Sequence, residues 1–446
     1  MNKTGIKFFS ILVITLVFMY AFSASYTSDS IDNISYVIAL AVDLSEDGEH
    51  LQVTFEFMDT SSFASEQSSG GNPAIIDTVN AKSINSALNL INAYIGKEVN
   101  LAHCKVIVFS DKLAEKGIYS YVNELMNNIQ IRPTTNIIIC KGNAMEYIQN
   151  SSSDLEKILT KYYDIFPNTS EYTGYTSDIM IGVFYNYLTT EECGNVAILG
   201  GLNPKISSSS SSQEGSSESS NGDSSSDNSS EGNQSEDSQG EKSKDKPNNN
   251  ISIFKIIAGN APILGERGTE NIGLAVLRDA AYVGDLTAGD TLCHTLISGE
   301  VNSFLIGIDD KEYYEKYIDI SLFENTSPKI TVDVSGENPK IKVEIMLTGR
   351  IDGIKSDINY SDDNAELDLD NLSSSVSKCL EKYILEYLKK TTSEFKCDID
   401  LFYTHAKRNF LTIEDWKNYE WSKKYLNSEF EVSVNAHIYQ SLLKSY

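Results

Sequence analysis

Residues 87–118 read ALNLINAYIGKEVNLAHCKVIVFSDKLAEKGI, and the spacing of their apolar residues changes twice along the way. Together with Ile84, residues Ala87, Leu88, Ile91 and Ile95 recur at the period of an amphipathic helix, so the spacing predicts a helix over 82–95 stopped by Gly96. CKVIVFS (104–110) reads as a strand, and a second helix is expected over 112–127. NIIIC (136–140) is the next strand, with a further helix around 143–150. Upstream, ISYVIALAVD (34–43) runs apolar into the acidic turn SEDGEH, and LQVTFEF (51–57) alternates with Leu51, Val53, Phe55 and Phe57 on one face. These two make a β-hairpin. The order β-β-α-β-α-β-α gives a mixed α/β N-terminal domain. Residues 151–200, with Tyr162, Tyr163, Tyr172 and Tyr175, suggest a second small unit or an elaboration of the first.

Residues 207–250 break this pattern. They contain no aliphatic or aromatic side chain and set three lysines against nine acidic residues, so they cannot bury enough surface to fold. The tract is a flexible tether or an insertion in a loop. Beyond it, GLAVLRDAAYVGDLT (273–287) reads as a hairpin turning at Arg278-Asp279, and 329–335 and 339–351 alternate as strands. An amphipathic helix over about 373–396 carries Val376, Cys379, Leu380, Tyr383, Ile384, Tyr387 and Leu388 on one face. FEVSVNAHI (430–438) is the last strand. The expected fold class is α+β (mixed α/β) and multidomain. An N-terminal mixed-sheet domain at 26–205, of one or two subdomains, is joined across a disordered Ser-rich acidic linker at 206–250 to a separate C-terminal α+β domain at 251–446.

The 446 residues carry 63 acidic and 36 basic side chains, a formal net charge of −27. That balance excludes nucleic-acid binding and a polybasic grip on anionic lipid, both of which need clustered Lys and Arg. Six cysteines in a chain of this length exclude a disulfide-stapled scaffold. At the start, Lys3 and Lys7 precede the apolar run FFSILVITLVFMYAF (8–22), followed by Ser23, Ala24 and Ser25, the pattern of a secretory signal. The next cation after Lys7 is Lys82, which places everything after the segment outside the cytoplasm. Residues 1–25 are a signal peptide cleaved after Ser23 or Ser25, or a retained signal anchor. Phe22-Ser23-Ala24-Ser25 has the shape of a lipobox tail, but a serine cannot supply the thioether, so no lipid is expected there.

Catalytic and metal signatures are not found. His103 adjoins Cys104 and Cys293 adjoins His294, yet no CxxC, HxxxH or HExxH spacing accompanies them. SEDGEH (45–50) lacks the alternating oxygen ligands of a calcium loop and reads as a solvated turn. Ser375-Val376-Ser377-Lys378 matches an S-x-x-K motif, but its companion triplets fall in the Ser-rich tract (226–228) and the leader (3–5). Cys104 and Cys140 read as buried small hydrophobes. No enzymatic activity, cofactor or metal is expected.

In the order and coverage of these segments the chain resembles the C subunits of bacterial spore germinant receptors, the Ger(x)C family. Ser25-Tyr26 stands in the register of the family's lipidated Cys-Trp, and IALAVD (38–43) is the strand that ends in Gly-Ile-Asp elsewhere. Residues 87–118 match the helix, the His-containing turn, the strand and the helix that follow, and IIICKGNAMEYI (137–148) continues the match. IGLAVLRDAAYVGDL (272–286), CDIDLF (397–402) and the paired Trp416 and Trp421 complete the series, with Asp290-Thr291 where Glu-Thr is usual. The resemblance implies a non-enzymatic subunit at the extracytoplasmic face of the spore inner membrane, tethered through its N-terminus. Its partners there would be integral-membrane A-type and B-type receptor subunits, and its role receptor assembly or signalling. Ser25 in place of the cysteine favours an uncleaved helix as anchor. His103 is either a partner contact or a structural histidine bonding backbone, and Trp416 and Trp421 either an interface hot spot or core. The alternative function is an extracytoplasmic protein binding a small solute or cell-wall fragment.

Overall fold

The computed structural model describes residues 3–23, 33–58, 74–151, 159–203, 253–262, 267–309, 317–354 and 365–439. Ser25, the Ser-rich tract and the small, polar stretch from Asp59 to Gly71, whose composition reads as a loop, lie outside the described residues. The apolar leader forms helix α1 (Lys3–Ser23). Phe9, Ile11, Ile14, Val17, Phe18 and Tyr20 are all exposed, so α1 is apolar all round, unlike a helix that packs one stripe on a core. Among the described residues, no helix is long and apolar enough to cross a membrane.

The first sheet is nine-stranded among the described residues and mixed. Its early elements are β1 (Ile34–Leu44), β2 (Leu51–Met58), β3 (Ala74–Ala81), α2 (Ile84–Ile95), β4 (Glu98–Asn100) and β5 (Val106–Ser110). There follow α3 (Asp111–Glu115), α4 (Tyr119–Met126), β6 (Asn136–Cys140), α5 (Ala144–Gln149), α6 (Leu159–Ile165), α7 (Ser170–Thr173), α8 (Ile181–Leu188) and β7 (Asn195–Leu202). β8 (Thr269–Arg278) and β9 (Ala281–Leu286) complete it, in the order β3-β2-β1-β5-β6-β7-β8-β9 with β4 beside β1. β1, β5, β6 and β7 are parallel, and both flanks are antiparallel. The hairpin read at 273–287 therefore belongs to this sheet, and the sheet takes strands from both sides of the Ser-rich tract.

Local chemistry explains most boundaries. Asp47 accepts the N–H groups of Glu49 and His50, both at 2.9 Å, so SEDGEH closes as a turn between β1 and β2. Ser83 caps α2 by accepting the Ser86 N–H, and Gly96 ends it in the left-handed region. The single helix expected over 112–127 is two, because Gly117 adopts φ 98° and the Ile118 N–H leaves the helix to donate to Ala280 O at 2.9 Å. The solvent face expected on β2 is also absent: Thr54 and Glu56 are buried. Tyr162, Tyr163 and Phe166 pack with α5 over that side of the sheet, while α2, α4 and α8 pack over the other. Both faces of the central strands are thus covered, as parallel strands require.

The second unit starts with α9 (Ala288–Ser298), where Thr287 and Asp290 form a capping box and Gly299 is the C-terminal cap. Cys293 and His294 therefore sit on a helix. β10 (Ser303–Asp309), β11 (Tyr317–Glu324), β12 (Lys329–Asp333) and β13 (Lys340–Ile354) follow, then α10 (Ala365–Lys390), α11 (Tyr403–Ala406), α12 (Ile413–Tyr419), α13 (Trp421–Tyr425) and β14 (Glu429–Tyr439). β14 runs parallel to β13 along 340–350 and forms the margin of this five-stranded sheet. One face of β14 is exposed; Val434, Ala436 and Ile438 on the other are buried in a core shared with Leu372, Val376, Leu380 and Ile384 of α10. Helix α10 also closes the free margin. Ser373 Oγ, Ser377 Oγ and Glu381 Oε1 accept the N–H groups of Ile438, Ala436 and Val434, each at 3.0 Å. Four helical residues rise about 6 Å and two strand residues about 6.6 Å, so the two rows stay in step.

Candidate functional site

His103 lies in a turn that closes with the Cys104 N–H donating to Leu101 O at 2.9 Å. Asn100 Oδ1 accepts the Ala102 N–H and Gln130 Oε1 the Leu101 N–H, at 2.8 and 2.9 Å. These amides hold the turn. The His103 ring is exposed, makes no hydrogen bond among the described residues, and meets Tyr36 edge-on at 4.7 Å between centroids. The backbone-bonding role expected for it is taken by Asn100 and Gln130, which leaves the ring at the surface. Beside it opens a polar hollow of about 250 Å³ lined by Cys104, Lys105, Arg132 and Asp164, with Lys105 paired to Asp164 at 2.8 Å.

Trp416 and Trp421 are each 2% exposed and belong to the core of the second unit. Their rings stack at 6.0 Å, with Tyr419 against both and Tyr425 beyond. The five-residue spacing straddles the left-handed Glu420 (φ 54°), which ends α12 and lets α13 restart with its tryptophan facing the same core. The indole N–H groups point to different halves of the molecule. Trp416 Nε1 donates to Glu192 at 2.9 Å, in the connection before β7, and Trp421 Nε1 donates to Asp398 at 3.1 Å. Ser422 Oγ adds a bond to Glu191 O, and the Gly194 N–H donates to Asp398 O at 3.0 Å. A Cβ on Gly194 would come within 2.6 Å of Cys397 Sγ. The tryptophan segment is therefore a clasp between the two units of the same chain.

Next to this clasp lies a polar group that sequence reasoning missed. His294 of α9 is buried, and its Nδ1 stands 2.8 Å from Asp400 Oδ1 and 3.2 Å from the Tyr387 hydroxyl, which itself donates to Asp400 Oδ1 at 2.9 Å. Burial pulls the imidazole pKa down, but the hydrogen bond and charge of Asp400, with Glu300 further off, more than offset it and hold it above the ordinary value. Asp400 has a fully buried side chain, and its Oδ2 has no partner among the described residues. Two residues away, Asp398 accepts the N–H groups of Phe402 and Tyr403 as well as the Trp421 indole, yet burial still pushes its carboxyl up to about 7. The signal for this group was the pair of acids in CDIDLF, which alternation would send to solvent. It folds inward because Lys396 and Leu401 take left-handed conformations (φ 57° and 59°) that turn the segment back on itself.

His294 and Asp400 form part of the wall of a cleft of about 150 Å³ between the units, with Phe184 and Val196 on one side and Ile399 on the other. Among the described residues, no group of three or more His, Cys, Asp or Glu side chains is arranged to hold a metal.

Two family models match the chain: the spore germination protein N-terminal domain over residues 28–202 and the spore germination B3/GerAC-like C-terminal domain over residues 272–441. The chain belongs to the Ger(x)C family of spore germination proteins. Ger(x)C proteins serve spore germination as components of the germinant receptor, a family of receptor subunits and not of enzymes. The crystal structure of the GerBC protein aligns with 90% of this chain and 96% of its own, at 14% identity and a TM-score of 0.49. No curated protein matches the chain. In this Ger(x)C protein the first family segment ends in β7 and the second begins in β8, two strands paired antiparallel in one sheet.

Proposed function

We propose that this Ger(x)C protein is a non-catalytic subunit of a nutrient germinant receptor, held at the extracytoplasmic face of the spore inner membrane. There it works with A-type and B-type integral-membrane subunits in receptor assembly or signalling. The observation that carries this reading is the pair of family segments, which together span the chain on both sides of the Ser-rich tract. An α1 with exposed apolar side chains on every side is suited to a membrane and not to water, as an export signal or a retained tether. His103, exposed in its turn, is the surface residue we assign to a partner contact; Trp416 and Trp421, enclosed in the clasp, support the subunit's own shape.

A pull-down of the tagged full chain from solubilised inner membranes of dormant spores, with proteins identified by mass, tests this. Recovery of a transporter-like polytopic protein and a second multi-spanning subunit is the expected result. The N-terminal peptide in the same spectra distinguishes a retained α1 from cleavage after Ser23 or Ser25. Recovery of the protein alone, or its absence from spores, overturns the assignment.

A further inference from the structure

We propose that the end of the first sheet at which β1 begins rests on the lipid bilayer, with Tyr94 and Ile129 set into its interfacial layer. The inference deepens the reading above and rests on α1 as the tether. Nine residues separate Ser23, the last of α1, from Asn33, just before β1. A chain of that length reaches at most about 35 Å. The start of β1 is therefore kept near the membrane, while the turn SEDGEH at its other end stands about 35 Å further along the strand. That far turn exposes Glu46, Asp47 and Glu49 and offers lipid nothing apolar.

The near end is different. Glu98 of β4 lies opposite Ile34, and Tyr94, four residues earlier in the last turn of α2, is 77% exposed. Leu90, one helical turn back on the same face, is 51% exposed. Ile129 is 99% exposed and is held out by a tight turn. In that turn the Ile131 N–H donates to Asn128 O at 3.1 Å and the Gln130 N–H to Asn128 Oδ1 at 3.0 Å. Gln130 Oε1 in turn holds Leu101, so Ile129 adjoins the His103 turn. Single exposed apolar residues occur on any protein, but these project from the one end that the tether keeps at the membrane. Charge does not oppose the contact. Lys97, Lys105 and Arg132 offset Glu98, Asp164 and Asp178 there, whereas the chain as a whole carries −27. Tyrosine joins an apolar ring to a polar tip, which suits the headgroup layer. The same placement puts His103, edge-on to Tyr36 near the start of β1, at the level where an integral-membrane subunit would meet it.

The test places Tyr94→Trp, Ile129→Trp or, as the distant control, Glu46→Trp in the full chain. Each variant is reconstituted into phosphatidylcholine–phosphatidylglycerol vesicles whose acyl chains are brominated near the headgroup. Bromine should quench the emission of Y94W and I129W roughly twofold or more beyond that of the wild-type chain, whose Trp416 and Trp421 are enclosed. E46W should stay at the wild-type level. Flotation of the same vesicles in a density gradient separates the two claims. A chain that does not float overturns the tether and this orientation together. A chain that floats with no excess quenching at 94 and 129, or with as much at 46, overturns the orientation alone. The pull-down reads assembly with other subunits, a separate property.

Discussion

Asp43, Glu56 and Asp398 are carboxylates that the sequence sets among apolar neighbours and that the fold buries. Asp43, next to the last residue of β1, accepts the N–H groups of Ala144 and Met145, at 2.8 and 2.9 Å, so it holds the first turn of α5 from a hundred residues upstream. Among the described residues Glu56 has only the Tyr163 hydroxyl, at 3.0 Å, and burial pushes its carboxyl up to about 8. With Asp398 at about 7 and His294 also raised, the native state holds these protons more tightly than the unfolded chain does. Stability from such groups is fully present below their unfolded values and is lost as pH rises through the folded ones. The melting temperature should therefore fall between pH 5 and pH 8.5, and Glu56→Gln should raise it at pH 8.5 by about 2–4 °C while flattening the profile. Differential scanning calorimetry across that range checks this, and a melting temperature that rises toward pH 8.5 contradicts it. Little of this was legible in LQVTFEF. Alternation sends Glu56 to solvent, and only Tyr163, far along the chain, reverses that assignment.

At the scale of elements, periodicity placed α2, β6 and β14 to within a residue or two, because each has a complete apolar stripe of its own. It missed β3, whose apolar residues are partly exposed, and β7, whose glycines hide a buried strand. Gly200 is there because a Cβ would come within 2.8 Å of the Tyr147 ring, and Gly201 because one would come within 2.6 Å of the Gly259 backbone nitrogen. The S-x-x-K coincidence on α10 hides a real device. Ser373, Ser377 and Glu381 sit four apart, as a helix needs to present one row, and that row occupies the N–H groups at the margin of β14. Removing Ser377 by Ala leaves the Ala436 N–H unpaired and should cost about 1–3 kcal/mol. Ser374→Ala, exposed on the same helix, should stay within about 0.5 kcal/mol. Urea midpoints at unchanged slope measure both, and equal effects from the two substitutions would refute the margin role. Adding Ser373→Ala should also make the protein prone to self-association through the opened strand.

For the molecule as a whole, sequence patterns set a domain boundary at the Ser-rich tract, whereas β8 and β9 beyond it complete the first sheet, and strand pairing across more than sixty residues leaves no local trace. β7 and β8 meet with Leu202 opposite Thr269, and the Asn203 N–H donates to Gly268 O at 2.9 Å. The chain thus leaves the first sheet and re-enters it at neighbouring positions, and the Trp416–Glu192 and Ser422–Glu191 bonds fasten the later unit to the earlier one. What joins the body across those two points is the β7–β8 ladder together with these bonds, and neither needs the backbone that runs between them. A protease that nicks residues 207–250 should therefore leave both fragments co-eluting on gel filtration with nearly unchanged circular dichroism; separation of the fragments would sink the idea. Carried one step further, the protein need not be a single polypeptide. Two genes, one ending near residue 203 and the other starting near 253, would encode halves that find each other and complete a shared sheet, a split reporter whose reassembly could be followed in living cells.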